Sequence, residues 1–320
     1  MDIVCLGELL IDMFPAELGR SLVEVTAFKP KPGGAPANVA VAAARLGAQS
    51  AFIGKVGDDA FGHHLADVLW QEDVEIGGMR YDPEARTGMA FIAMPDENSY
   101  EMLFYRNPGA DMRLRADELD REILGRARAF HFGSISLIQE PSRGATLEAA
   151  QIAREAGALI SFDVNYRPDL WSREDARERI LATIPHVDLL KVNEAELTLL
   201  TGSADPGTCS QALLALGPAL CVVTLGPEGS FFRTAGGGGF VPPFLVKTVD
   251  ATGCGDAFVA GLIWQLIRQG SWREQIGVAR MFEVLRYANA VGALTSLTLG
   301  VIPALPTAEQ VEEFLGRADG

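Results

Sequence analysis

Short apolar runs alternate with helix-forming stretches along most of the chain, and this alternation limits the fold more than any other feature. Residues 2–12 (D-I-V-C-L-G-E-L-L-I-D) read as a buried strand ending in an acid, 37–46 as a helix, 50–56 as a strand and 59–72 as a helix. The order β-α-β-α calls for a parallel sheet with helices on its faces. From 79 to 106 the rhythm changes. Residues 79–81, 87–94 and 100–105 read as short strands joined by polar turns such as Pro95-Asp96-Glu97-Asn98, with no helix between them. Antiparallel hairpins inside an α/β chain suggest a small separate sheet, a lid over a site, to which 13–32 add strands. The α/β rhythm then resumes. Strands are expected at 129–132, 159–162, 189–192, 220–225 and 231–234, and helices at 143–156, 257–268, 272–297 and 307–315, with Gly236 to Gly239 as a flexible hairpin tip.

Composition removes several classes of function. The net charge is −15 and no basic face is visible, which argues against a nucleic-acid partner. No apolar run reaches the length of a membrane span. The N-terminus enters a strand pattern without the features of a signal peptide, and the four cysteines form no C-x-x-C pair, so a reducing, cytoplasmic setting is expected. Neither a P-loop nor a G-x-G-x-x-G fingerprint follows any strand. An acidic chain that binds a phosphate ligand must then supply local compensation through backbone N–H groups, a few cations or a metal.

Asp250 to Phe258 (D-A-T-G-C-G-D-A-F) offers such compensation. The backbone N–H groups of Gly253, Cys254 and Gly255 can converge on one spot before a helix N-terminus, where anions are favoured. Asp256 stands beside that spot, suited to act as a base where negative charge develops. An ordinary strand-to-helix turn with an Asp cap is the competing reading. Elsewhere, Asp12 ends a strand at the sheet edge where open α/β folds place ligands. Gly33-Gly34 allow close backbone approach, and Asn38 in the following first turn can both donate to and accept from hydroxyls. Asp163, Asn165 and Arg167 leave another strand end with a spacing of two. Asn193 and Glu196 lie three apart, either as a capping box or as a holder for the water shell of Mg²⁺. Arg106 ends the last lid strand, as a site residue or a solvated edge arginine. No role is expected of Glu8.

The pairing of G-G-A-P-A-N-V-A (33–40) with D-A-T-G-C-G-D-A-F resembles the ribokinase-like (pfkB) carbohydrate kinases. F-I-G-K-V-G-D-D-A-F-G (52–62), F-Y-R (104–106), H-F-G-S-I-S-L (131–137) and N-Y-R-P-D-L-W (165–171) are most similar to the fructokinase branch. The resemblance implies a three-layer α/β/α sandwich with a mainly parallel central sheet. Residues 1–12, 33–78 and 107–320 would form the kinase domain, and 13–32 with 79–106 a β lid. It implies transfer of the ATP γ-phosphoryl group to a sugar hydroxyl, most naturally O6 of fructose, with 2-keto-3-deoxygluconate as the alternative acceptor and a non-catalytic sugar-binding protein as the alternative class. Asp256 would be the base, and Gly253, Cys254 and Gly255 the anion hole. Asp12, Gly33, Gly34, Asn38, Arg106, Asp163 and Arg167 would meet the sugar. Lys191, Asn193 and Glu196 would serve ATP phosphates and hydrated Mg²⁺, while Thr224, Gly226, Gly229 and Asn289 would line the nucleotide. Asp250, Thr252, Thr295, Thr298 and Gly300 match the positions of a monovalent cation such as K⁺. A homodimer through the lid is also implied. Cys254 departs from the alanine usual at its position, and a thiol at a helix N-terminus is expected to have a lowered pKa and to be reactive.

Overall fold

The computed structural model describes residues 1–96 and 101–318. In chain order, β1 (Ile3–Leu6), β2 (Leu10–Pro15) and β3 (Phe28–Gly33) precede α1 (Ala35–Arg45), β4 (Ser50–Gly57), α2 (Ala60–Gln71), β5 (Met79–Asp82), β6 (Met89–Ala93) and β7 (Glu101–Tyr105). The middle of the chain contributes α3 (Arg121–Gly125), β8 (Ala129–Gly133), α4 (Ser142–Glu155), β9 (Leu159–Asp163), α5 (Arg173–Thr183), β10 (Leu189–Asn193), α6 (Glu194–Thr201), α7 (Pro206–Leu214) and β11 (Leu220–Thr224). The hairpin β12 (Ser230–Thr234) and β13 (Gly237–Val241) leads to α8 (Cys254–Ile267), α9 (Trp272–Gln275), α10 (Val278–Thr295) and α11 (Ala308–Ala318). The turn expected at Glu97-Asn98 and the strand start at Tyr100 lie outside the described residues.

Among the described residues, nine strands form one sheet in the order β13-β12-β11-β10-β9-β8-β1-β4-β5. Its pairings are parallel from β11 through β5, and the β12–β13 hairpin continues it antiparallel at one edge. Such a sheet is covered on both faces, so its strands read as continuous apolar runs. Alternate residues of β1 show the division. Ile3 and Cys5 join the core formed with α1, α2, α8, α10 and α11, whereas Val4 and Leu6 join the core under α3 to α7. The result is three layers with the carboxyl ends of the parallel strands along one rim. A second sheet, β3-β2-β6-β7, stands apart from the first.

Five features differ from expectation. Residues 2–12 are two strands. The chain leaves the large sheet after Leu6 and enters the small one at Leu10, where β2 pairs with β3 and β6. Asp12 therefore sits within a strand of the small sheet and not at a carboxyl end of the large one. Every residue from Ile3 to Asp12 is buried, and Gly7-Glu8 alone marks the crossing. Residues 79–82 likewise belong to the large sheet: β5 pairs parallel to β4 after the α2 crossover, which makes an ordinary β-α-β unit. Gly237 to Gly239 are not a tip but lie in β13, in register with β12. At Gly239 a Cβ would fall 2.5 Å from the Phe282 ring, so glycine there admits the packing of α10. Finally, α8 starts three residues earlier than its apolar run, and the helix expected at 272–297 is broken at Ile276-Gly277.

Candidate active site

Gly253 caps α8 with φ 77°, and a Cβ there would lie 2.3 Å from Val301 Cγ1, so both conformation and space require glycine. The helix has no side-chain cap, and its first turn holds Cys254, Gly255 and Asp256. The Cys254 N–H closes a turn onto the Ala251 carbonyl at 3.3 Å, so it is engaged within the protein. The Gly255 N–H precedes any intrahelical acceptor and remains directed out of the helix start. The Lys191 ammonium lies 3.6 Å from the position a Cβ would take at Gly255. A fixed cation therefore stands beside the helix N-terminus, and both favour an anion at the same place.

Asp256 is half-buried, and its Oδ2 accepts a 2.8 Å hydrogen bond from Asn38 Nδ2 on α1. Burial, reinforced by Asp163, pushes its pKa up to about 6, while Asn38, Arg167 and Lys191 act in the opposite direction. Asn38 Oδ1 is buried without a partner. Asp12 is raised to about 7, chiefly by burial and then by Asp256, with Arg167 opposing. These two carboxylates, Asn38 and the half-buried Arg167 thus form one cluster. Gly33 shapes it, because a Cβ there would fall 2.0 Å from Asp12 Oδ2. Gly34 has φ 113°, and a Cβ would meet the Glu8 carbonyl at 2.3 Å.

Glu8 belongs to this cluster although no role was expected of it. Its Oε1 accepts the Ala35 N–H at 2.9 Å, which supplies the cap that α1 lacks locally. Its Oε2 is buried without a partner, and burial lifts its pKa to about 7. The one available signal was the start G-G-A-P, a helix beginning without Ser, Thr, Asp or Asn, which needs an acceptor from elsewhere. Arg106 is neither solvated nor free: it is buried and paired with Asp111, with Glu8 facing the pair.

At the carboxyl ends of β9 and β10, Lys191 Nζ pairs with Asp163 at 3.0 and 3.1 Å, both groups being buried. Asp163 was expected to meet the sugar; the structure commits it to Lys191. The Asn193–Glu196 pair adopts the capping box, with Glu196 Oε2 accepting the Asn193 N–H at 2.8 Å and Asn193 Oδ1 accepting the Glu196 N–H at 2.9 Å. Glu196 Oε1 accepts the Tyr166 N–H at 2.9 Å, so each carboxylate oxygen anchors backbone. The group therefore orients the segment carrying Asn165, whose φ is 39°, and Arg167. Among the described residues no group of three or more His, Cys, Asp or Glu is placed to hold a metal.

The remaining expected residues lie along the same rim. Thr224 ends β11, and Gly226 and Gly229, with φ 53° and 105°, form the turn that follows. Asn289 Nδ2 donates to the Pro242 carbonyl at 3.0 Å, tying α10 to the end of β13. Asp250 is buried, with Oδ1 accepting from Thr252 N–H (2.9 Å) and Oγ1 (2.6 Å), and Oδ2 from Gly300 N–H (2.9 Å). Asp250, Thr252 and Gly300 are thus brought together beside the α8 start. The Thr295 hydroxyl donates within α10, to the Val291 carbonyl, and Thr298 is exposed; the cation contacts expected here are mostly through backbone carbonyls. Against the lowered pKa expected of it, burial first, and then Asp250 and Asp256, push the Cys254 thiol up to about 12.

A parallel α/β rim carrying a base candidate, an anion-favouring helix start and a covering sheet has relatives of the same construction. Residues 1–308 match the model of the pfkB family of carbohydrate kinases. The chain belongs to that family, and its fold is ribokinase-like. It is 48% identical over 319 residues to the probable chloroplastic fructokinase-6 of Arabidopsis thaliana, covering 99% of this chain and 83% of that protein. The solved fructokinase of Xylella fastidiosa with bound ATP superposes with a TM-score of 0.92 at 33% identity, covering 100% and 99% of the two chains. The fructokinase of Vibrio cholerae O395, solved with fructose, ADP and a calcium ion, gives 0.86 at 32% identity, covering 98% of each.

Proposed function

We propose that this chain is a fructokinase, transferring the γ-phosphoryl group of ATP to fructose, with O6 the acceptor and fructose 6-phosphate the product. One observation carries the reading: Asp256, held by Asn38 and facing Asp12, stands in the first turn of α8 beside the Lys191 ammonium. Asp12, Gly33, Gly34, Asn38 and Arg167 seat the sugar hydroxyls. Asp256 takes the proton from the attacking hydroxyl. The α8 start and Lys191 stabilise charge on the phosphoryl oxygens, which is most of what phosphoryl transfer asks of a protein. Mg²⁺ supplies charge neutralisation when it arrives with ATP. Glu196 keeps the Asn165–Arg167 segment in place and touches the ion only through water. The Asp250–Thr252–Gly300 cluster is the seat for a monovalent cation. The small sheet acts as the lid, and the exposed Leu103 and Tyr105 on its β7 edge favour a homodimer. Four free cysteines suit a cytoplasmic setting.

A coupled assay with ATP and Mg²⁺ against fructose, fructose 6-phosphate, ribose, adenosine and 2-keto-3-deoxygluconate tests the reading. Fructose should give the highest kcat/KM. Turnover of none would refute a kinase, and preference for the sugar acid would refute the fructose assignment.

A further inference from the structure

Arg106 and Asp111 form a sealed pair. Their side chains are 4% and 6% exposed, and Gly88 and Gly109 close over them, since a Cβ would lie 3.3 and 3.0 Å from Arg106 Cβ. Glu8 faces the pair and accepts the Ala35 N–H at 2.9 Å beside Gly33 and Gly34, and a Cβ at Gly88 would lie between Arg106 Cβ (3.3 Å) and Leu10 Cβ (3.6 Å) of the strand that carries Asp12, so the cluster borders the sugar side of the site. Three polar atoms here are buried without partners: Arg106 Nε, Asp111 Oδ1 and Glu8 Oε2. They are one donor and two acceptors. Hydroxyls, which donate and accept, can satisfy all three, directly or through one water. A carboxylate only accepts, so it would satisfy Nε and confront the two oxygens.

We propose that Asp111 is a specificity-determining residue: by occupying the Arg106 guanidinium it makes the pocket take an uncharged ketose and refuse a sugar acid. The inference rests on the carbohydrate-kinase reading of the same site. A free guanidinium would bind a carboxylate through two parallel charged hydrogen bonds. Here Asp111 already engages the guanidinium through one contact, Nη2 to Oδ2, and a second carboxylate, Glu8, stands beside the pair. An acidic substrate therefore meets like charge at low dielectric, where repulsion is strong.

The test compares kcat/KM for 2-keto-3-deoxygluconate and fructose in the full-length enzyme and its D111N and E8Q/D111N variants. The acid-to-fructose ratio should rise roughly tenfold or more in D111N, and further in the double variant, because a hydrogen-bonding site discriminates by the partners it leaves unpaired. An unchanged ratio in D111N with native circular dichroism and thermal midpoint overturns the proposal. Should the unpaired guanidinium unfold D111N, R106Q/D111N removes both charges. That variant should show a raised KM for fructose and no gain on the acid, and acid turnover there overturns the proposal as well. A wild-type enzyme inactive on fructose would instead refute the fructokinase reading, which keeps the two failures apart.

Discussion

Gly33→Ala should damage the sugar site while leaving the fold and the nucleotide side intact. The backbone at Gly33 is not in the left-handed region, so alanine is compatible with its conformation. The difficulty is side-chain space: the new Cβ would fall 2.0 Å from Asp12 Oδ2 and 2.6 Å from its Cγ, where ordinary contact begins at 3.4 Å. The carboxylate must retreat by about 1.4 Å, the difference between 2.0 and 3.4 Å. A displacement of ~1 Å in a positioning group costs about 10²-fold, or roughly 2.7 kcal/mol of transition-state stabilisation. The expected result is a loss of that size in kcat/KM for fructose, with KM for ATP and the thermal midpoint nearly unchanged. Steady-state kinetics at saturating ATP measures it, and D12A with D12A/G33A completes a double-mutant cycle. Because the effect runs through Asp12, the double variant should be no worse than D12A alone. A G33A enzyme within about threefold of wild type, or losses that simply add, would refute this account of the glycine.

Four further outcomes are expected. Asp256, raised to about 6, must be ionised to take a proton, and Asp12, raised to about 7, to accept from a sugar hydroxyl, so kcat/KM for fructose should fall as pH drops from 7 to 6; D256N should lower kcat about 10²–10⁴-fold and keep only the part of that dependence due to Asp12. Stability should move the other way. Carboxyls raised on folding stabilise the fold most below their unfolded values of 3.8 to 4.5 and lose that contribution as pH rises through about 6 to 7, so the ligand-free midpoint should drop between pH 5.5 and 8, and less so in D12N or E8Q. Glu196→Gln turns one N–H acceptor into a donor facing the Asn193 or Tyr166 N–H; a loss of about 1–3 kcal/mol in stability and a raised KM for ATP should follow, measured by denaturant unfolding and kinetics. Alkylation of Cys254 in the native enzyme should be slow at pH 8 and indifferent to ATP, as mass spectrometry would register; rapid, ATP-protected modification would contradict the pKa of about 12.

What could be read in the sequence was whatever local pattern determines. The parallel sheet, its helices and the α8 start followed from periodicity and from two short glycine-containing stretches, and Asn38 in a first turn after Gly33-Gly34 is the residue that reaches Asp256. What could not be read depends on pairings distant in the chain. Ile3 to Asp12 are buried throughout, so apolar periodicity could not reveal that Leu6 and Leu10 belong to different sheets. Glu8 acts on a helix start 27 residues away, and Arg106 resembled an edge arginine because nothing local announces that Asp111 folds back onto it. Cys254 misled for a related reason. A helix N-terminus lowers a thiol pKa, but the carboxylates of Asp250 and Asp256 flank this one, and their effect together with burial outweighs the dipole.

The charge arrangement also explains how an acidic protein of net charge −15 can serve a nucleotide polyanion and a neutral sugar in one cleft. Two of its three site cations are already matched, Lys191 by Asp163 and Arg106 by Asp111, leaving Arg167 between Asp12 and Asp256. On the sugar side, carboxylates therefore outnumber free cations, and burial first, then neighbouring carboxylates, raises their pKa values. Hydroxyl donors relieve it by hydrogen-bonding to the ionised oxygens, whereas another anion would add to it. On the phosphate side the favourable charge is fixed in place, as backbone N–H groups at the α8 start and the ammonium of Lys191 beside Gly255. In the proposed reading the two substrates are thus sorted by sign across one helix turn, with Asp256, the proposed base, at the boundary.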